Sequence, residues 1–352
     1  MEDDIACRVT AALVGTRCAQ DAVPDVDRGT KSLEAYRSYL RGRFQIQSQY
    51  SVEGTERALQ TAADHFTEAI ERDPRFAAAY AGLADAYTQL VWLVRGDVHP
   101  LLIRARAAAL KAIELNAQLA EAHTSLSAVY LHQWEFAAAG RAIERAVSLA
   151  PSSAWARHEH ATYLMAVGQT EAGVAEMRKA EELDPLNTTI IADRGNTFTA
   201  AHRYEEALAQ YRRACELDLR CGPDLSVGST YLLMGKYAEA IAELHRARNS
   251  GAAAVDATLW LAMAYARAGR TREAEQQLAD VMSESSTQHI PYMFFAYVYA
   301  ALGQDDRAFE MLDRAYRDRE IGLAYIRATV WLEPLRSDRR FQEMVHRVGV
   351  PD

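Results

Sequence analysis

No apolar run in this chain approaches the ~18 residues that a membrane-crossing helix needs, so no membrane span is expected. Cysteine is scarce: Cys7, Cys18, Cys215 and Cys221 are the only four in 352 residues, and none are spaced as C-x-x-C. That excludes a disulfide-dense scaffold and leaves reduced thiols as the expectation, with a Cys215–Cys221 disulfide or a metal site as the alternative. Sustained alternation of apolar and polar residues is missing, so no strand is expected. There is no Gly-rich phosphate loop, no kinase catalytic-loop motif and no H-E-x-x-H. Positive charge is not in excess either: the net charge is −9, which speaks against a nucleic-acid or anionic-membrane partner. The first residues, Met1-Glu2-Asp3-Asp4, are acidic where a secretory signal starts basic, so the expected location is cytoplasmic. Low-complexity tracts are absent, and only Asp21–Thr30 has the composition of a linker.

What the chain does have is a period. Small, large and Ala residues recur as Ala139/Ile143/Ala146, Gly173/Met177/Ala180 and Ala207/Tyr211/Ala214, then Ala240/Leu244/Ala247, Ala274/Leu278 and Ala308/Leu312/Ala315. The first members are 34, 34, 33, 34 and 34 residues apart, a spacing that belongs to stacked helical hairpins. Upstream of each set lies a second one: Leu126 with Tyr130, Gly195 with Phe198, Gly228 with Tyr231, Leu261 with Tyr265 and Phe295 with Tyr299. Between the two sets stands a glycine in four repeats, Gly168, Gly235, Gly269 and Gly303, where a left-handed residue can end a helix without a Cβ clash. Pro74, Pro151 and Pro185 close repeats, because proline cannot donate the interior helical hydrogen bond. Two early repeats are irregular, with extra residues around Gln45–Thr55 and across Leu90–His99, the latter carrying Trp92. About eight repeats are expected.

These sets resemble the tetratricopeptide (TPR) repeat. The strings Ala35-Tyr36-x-x-Tyr39-Leu40-x-Gly42-Arg43-Phe44, Ala77–Tyr87 and Trp331–Phe341 are similar to the arrays of a bacterial family. In that family the array follows an adenylate cyclase, a winged-helix regulator or a serine/threonine kinase. The resemblance implies an all-α solenoid, a right-handed superhelix with a C-terminal capping helix near Asp338–Val348. The expected division is an N-terminal helix and linker over 1–31, the array over 32–320 and a capping segment over 321–352. No output module is recognisable, which is expected of a fragment or of a stand-alone array.

In that fold the first helix of each hairpin lines a concave groove, so the resemblance places a set of side chains there. The expected peptide-binding residues are Gln89, Thr124, His132, Trp155, His158, Thr162, Asn196, Arg267 and Tyr297, with Asp85, Ala128, Thr199, Ser229, Leu259, Met263 and Met293 beside them. Trp155 and His158 are three apart and share a helix face. Asn196 could serve a clamp for a C-terminal carboxylate, but Ala192 and Thr199 supply no cation beside it, so that clamp is not expected. His158 and His160 are two apart and diverge on a helix, so they cannot share a metal. Glu181-Glu182 and Glu205-Glu206 read as solvated surface. The expected function is a non-enzymatic scaffold binding a protein or peptide partner in bacterial signalling or regulation, without cofactor or metal. The alternative is a small-ligand sensor array controlling a fused or partner enzyme.

Overall fold

The computed structural model describes residues 29–47, 52–94, 96–217, 225–250, 254–284 and 290–351. Among these residues there is no strand, and eight helical hairpins follow one another. They are α1 Leu33–Gln47 with α2 Val52–Arg72, α3 Ala77–Leu90 with α4 His99–Leu115, α5 Ala120–His132 with α6 Phe136–Leu149, and α7 Ala154–Ala166 with α8 Thr170–Leu183. Then come α9 Thr188–Ala200 with α10 Tyr204–Leu217, α11 Leu225–Leu233 with α12 Tyr237–Ser250, α13 Ala254–Arg267 with α14 Thr271–Glu284, and α15 Tyr292–Ala301 with α16 Asp305–Arg317. Two 3-10 turns, Ile321–Tyr325 and Val330–Leu335, precede a last helix α17, Arg339–Val348.

The local signals explain these boundaries. Ser153 and Asn187 cap α7 and α9 by accepting from the amides of Ala156 and Ile190, each at 3.2 Å, and Asp338 does the same for α17 through Arg340 at 2.8 Å. The four turn glycines all have positive φ: Gly168 82°, Gly235 73°, Gly269 74° and Gly303 69°. At that slot the next amide reaches back to a carbonyl five residues earlier, as in Gln169 to Leu164 at 2.8 Å and Arg270 to Tyr265 at 2.9 Å. The slot recurs at Trp134 (φ 64°) and His202 (φ 59°), where a side chain is carried at a backbone cost of roughly 1–2 kcal/mol.

The period has a packing cause. The small residue of a first helix receives the large residue of the second. A Cβ on Gly228 would stand 2.8 Å from the Leu244 side chain, and one on Gly195 would collide with the Tyr211 ring. Each hairpin then buries its stripe against its neighbours, and no single core is needed. Of the extra residues around Gln45–Thr55, the described ones are helical: α1 runs to Gln47, and α2, from Val52, is 21 residues long where α6 and α8 have 14. The α17 stripe Phe341, Met344, Val345 and Val348 is buried, and Arg340 and Arg347 tie the helix to Asp306 (2.8 Å) and Asp313 (2.6 Å) on α16.

Ala207 is fully buried in a cluster with Val174, Phe198 and Tyr211. Ala207→Leu is expected to destabilise by about 1–3 kcal/mol through overpacking. Urea unfolding followed by circular dichroism measures it; a midpoint equal to the parent's would contradict this packing.

Two expectations need correction. Cys215 is disulfide-bonded rather than a free thiol; its partner is one of Cys7, Cys18 and Cys221, all of which lie outside the described residues. Glu181 is not solvated surface: it is buried and paired with Arg194 and Arg213, because α8 faces α9 and α10 there. Glu176, on the same helix, is also buried, held by Arg157 at 2.8 Å and Lys179 at 2.7 Å. By contrast Glu182, Glu205 and Glu206 are exposed.

Candidate functional site

The expected groove residues separate into two groups. The first is a polar chain across α7, α9 and α10. His158 is buried, and its Nε2 lies 2.8 Å from Asp193 Oδ2 while Nδ1 lies 3.5 Å from Glu159 Oε1. Asn196 donates to Asp193 at 3.0 Å and accepts from the Tyr211 hydroxyl at 2.8 Å. Burial pulls the His158 imidazolium down, but the hydrogen bond to Asp193 and the negative charges of Asp193 and Glu159 outweigh it and raise its pKa to about 10. The ring is therefore charged at neutral pH. Trp155 stacks on it with centroids 4.5 Å apart and planes at 12°. That arrangement fixes a half-buried indole over a fixed cation. His160 points elsewhere, toward Glu176 at 3.5 Å, as their two-residue separation requires.

The second group lies at the ends of the first helices and is covered. His132 is buried, and burial lowers its pKa to about 4, so it is neutral. Its ring meets Trp92 edge-on at 5.1 Å. Trp92 in turn lies 5.8 Å from Tyr325, which belongs to the first 3-10 turn. On the facing wall, Tyr297 of α15 hydrogen-bonds Thr329, and burial pushes its phenol up to about 12. Trp260 of α13 meets Trp331 at 4.6 Å. Leu259, Met263 and Met293, expected beside the groove, are all but fully buried. Thr124 and Thr162 turn their hydroxyls back onto the carbonyls of Ala120 (3.0 Å) and His158 (3.1 Å). Gln89 holds the buried carboxyl of Asp85 at 2.9 Å, and burial raises that carboxyl's pKa. Arg267 is exposed and lies apart from the His158 cluster, near Tyr204.

Three polar atoms in the covered zone, His132 Nδ1, Trp134 Nε1 and Tyr325 Oη, are buried with no hydrogen-bond partner among the described residues. Each such atom costs roughly 1–3 kcal/mol. Among the described residues no three His, Cys, Asp or Glu side chains are grouped so as to hold a metal, and no helix is long and apolar enough to cross a membrane.

The residues that sequence reasoning missed are Glu159, Asp193, Tyr325 and the turn residues Trp134 and His202. Four of these had a signal: Glu159 and Asp193 are 34 apart and so occupy one position of successive first helices, and Trp134 and His202 fall in register with the turn glycines. Tyr325 had none, because its contacts are long-range and outside the period.

Comparison with known proteins agrees with this architecture. A tetratricopeptide repeat family model matches residues 158–224 and 228–287. The transcriptional regulator HilA of Salmonella typhimurium is 27% identical over 154 residues, which are 44% of this chain and 27% of that protein. The chain thus matches only about a quarter of the length of this curated relative. Among solved structures, a tetratricopeptide repeat protein from Parabacteroides merdae aligns with a TM-score of 0.51 at 14% identity, over 76% of this chain and 98% of that one. A thermophilic TPR protein from Thermus thermophilus, TTC0263, aligns with a TM-score of 0.44 at 18% identity, over 56% and 96%.

Proposed function

The chain is a tetratricopeptide repeat protein, and on that footing we propose that its concave face binds a segment of a partner protein, in bacterial signalling or regulation. Arrays of this kind generally mediate protein–protein contacts rather than catalysis. The observation that carries the reading is Trp155. Its indole is stacked on a charged imidazole that Asp193 and Glu159 hold in place, beside the exposed amide of Asn196. A rigid, part-exposed aromatic next to fixed polar groups is the composition of a binding anchor. The likeness to a transcriptional regulator supports a regulatory setting. The reading places the protein in the cytoplasm; the Cys215 disulfide is the one observation that pulls against a reducing compartment.

The test starts with a photo-crosslinking residue at position 155, which captures a partner for identification. The purified partner is then titrated against parent, Trp155→Ala and the exposed α8 control Arg178→Ala. Glu176 does not serve as a control, because its ion pairs bury it. Loss of a buried tryptophan anchor is worth about 2 kcal/mol, on the order of thirtyfold in affinity. Equal affinities for parent and Trp155→Ala would overturn the reading.

A further inference from the structure

The segment joining α16 to α17 crosses the concave face instead of passing round the outside. Arg319 Nη2 donates to the carbonyl of Gln133 at 2.8 Å, 186 residues away in sequence, and its guanidinium lies 4.6 Å from the centre of the Trp134 ring. Leu323, Ala324 and Ile326 are fully buried. The Arg327 side chain passes 3.5 Å from where a Cβ on Gly168 would stand. Glu333 lies 3.1 Å from His202 Nε2. Three strap residues in order, 319, 327 and 333, therefore meet three turn residues in order, 134, 168 and 202.

Those turns are where the repeat breaks its own rule. Six turns inside hairpins hold a left-handed residue, and four of them are glycine; outside them the strap's own Arg319 is a further left-handed non-glycine at φ 51°. The two that are not, Trp134 and His202, are the two whose side chains hold the strap. Bearing backbone strain to keep a side chain there is intelligible if the side chain has a task. The strap is also tethered at both ends. Glu320 caps α15 through the amides of Tyr292 (2.6 Å) and Met293 (3.1 Å), and α17 is ion-paired to α16. It can leave the face without leaving the molecule. Its fit is imperfect, since His132, Trp134 and Tyr325 each bury a polar atom at this interface with no partner among the described residues.

We propose that residues 318–336 are an intramolecular ligand of the concave face of repeats three to five, and that the partner segment has the strap's chemistry. That chemistry is a tyrosine between aliphatic residues followed by arginine, as in Leu323-Ala324-Tyr325-Ile326-Arg327. This rests on the reading that the concave face binds protein. The strap then competes with the partner at high effective concentration and sets the threshold for binding.

Two measurements on the full chain test it. Hydrogen exchange of the parent should show amides of 321–335 exchanging by local opening, at least tenfold faster than those of α5 and α7. A labelled synthetic peptide of residues 318–336 should bind the Arg319→Ala/Glu333→Ala variant at least tenfold more tightly than the parent. The same peptide carrying Tyr325→Ala should fail to compete. Both substituted side chains are exposed, so the variant tests the latch and not the core. Strap amides as slow as α5 and α7, equal peptide affinity for variant and parent, or a variant that does not fold would each mark the strap as integral and overturn the proposal. A strap that opens and is exchanged for the peptide, while Trp155→Ala leaves partner affinity unchanged, would sink the partner reading and leave the latch standing.

Discussion

Phe66→Ala is expected to destabilise the first two hairpins by about 3–5 kcal/mol, the range for emptying a buried phenylalanine site. Phe66 is fully buried on α2 among Ala62, Ala63 and Ala86, with the Tyr39 ring 5.8 Å away. Its ring lies against two glycines, both nearest its Cδ1–Cε1–Cζ edge. A Cβ on Gly42 would stand 2.7 Å from it, and a Cβ on Gly82 2.5 Å. Neither glycine has a side chain with which to fill the space, so collapse is limited and the upper part of the range applies. Gly82→Ala approaches the same contact from the glycine and should cost less, about 1–3 kcal/mol, because a ring can shift where a void cannot close. In a solenoid each hairpin touches only its neighbours, so the damage should stay local. Hydrogen exchange should show amides of α1–α3 losing protection in Phe66→Ala while α13–α16 keep theirs. Uniform loss along the array, or none at all, would contradict this account.

The parts of the fold legible in the sequence are those that repeat. A glycine at 168, 235, 269 and 303 announces a left-handed turn because no other residue takes that φ cheaply, and all four do take it. The pairing of Gly195 with Tyr211 and of Gly228 with Leu244 follows from the same register. Illegible were the features that break the period. Trp134 and His202 can be placed at the turn slot by register, but neither residue type announces a left-handed backbone or a side-chain task there. Glu181 reads as surface from its acidic neighbour, yet two arginines from α9 and α10 enclose it. The strap depends on one hydrogen bond spanning 186 residues and on unequal turns, and no local pattern encodes either. Most groove positions could be counted from helix register, but whether each faces solvent or a covering segment could not. Met293 and Tyr297, counted as groove positions, are covered: Gly322 lies against the first and Thr329 hydrogen-bonds the second.

The stability of this protein is expected to fall between pH 6.5 and about 10 by an amount that His158 carries. In the unfolded chain the imidazole titrates near 6.5, and in the fold its pKa is raised to about 10. The folded state therefore holds its proton more tightly. The resulting stabilisation is fully present below pH 6.5 and is lost as pH rises through about 10. The full shift would correspond to about 5 kcal/mol, but the Asp193 side chain is 35% exposed and solvent screens its share, so roughly 3 kcal/mol is the expected size. Other groups titrate in the same window, so the informative quantity is the difference between parent and His158→Gln, each unfolded in urea at pH 6, 8 and 10. The difference should shrink as pH rises. Asp193→Asn should lower the pKa of His158 by removing its closest carboxylate, which the imidazole proton resonances would report. A parent and a His158→Gln variant with parallel pH profiles would show that folding leaves the imidazole pKa near 6.5, so that the ring is largely neutral above neutral pH. Trp155 would then stack on an uncharged ring, and the anchor would lose the fixed cation that orients it.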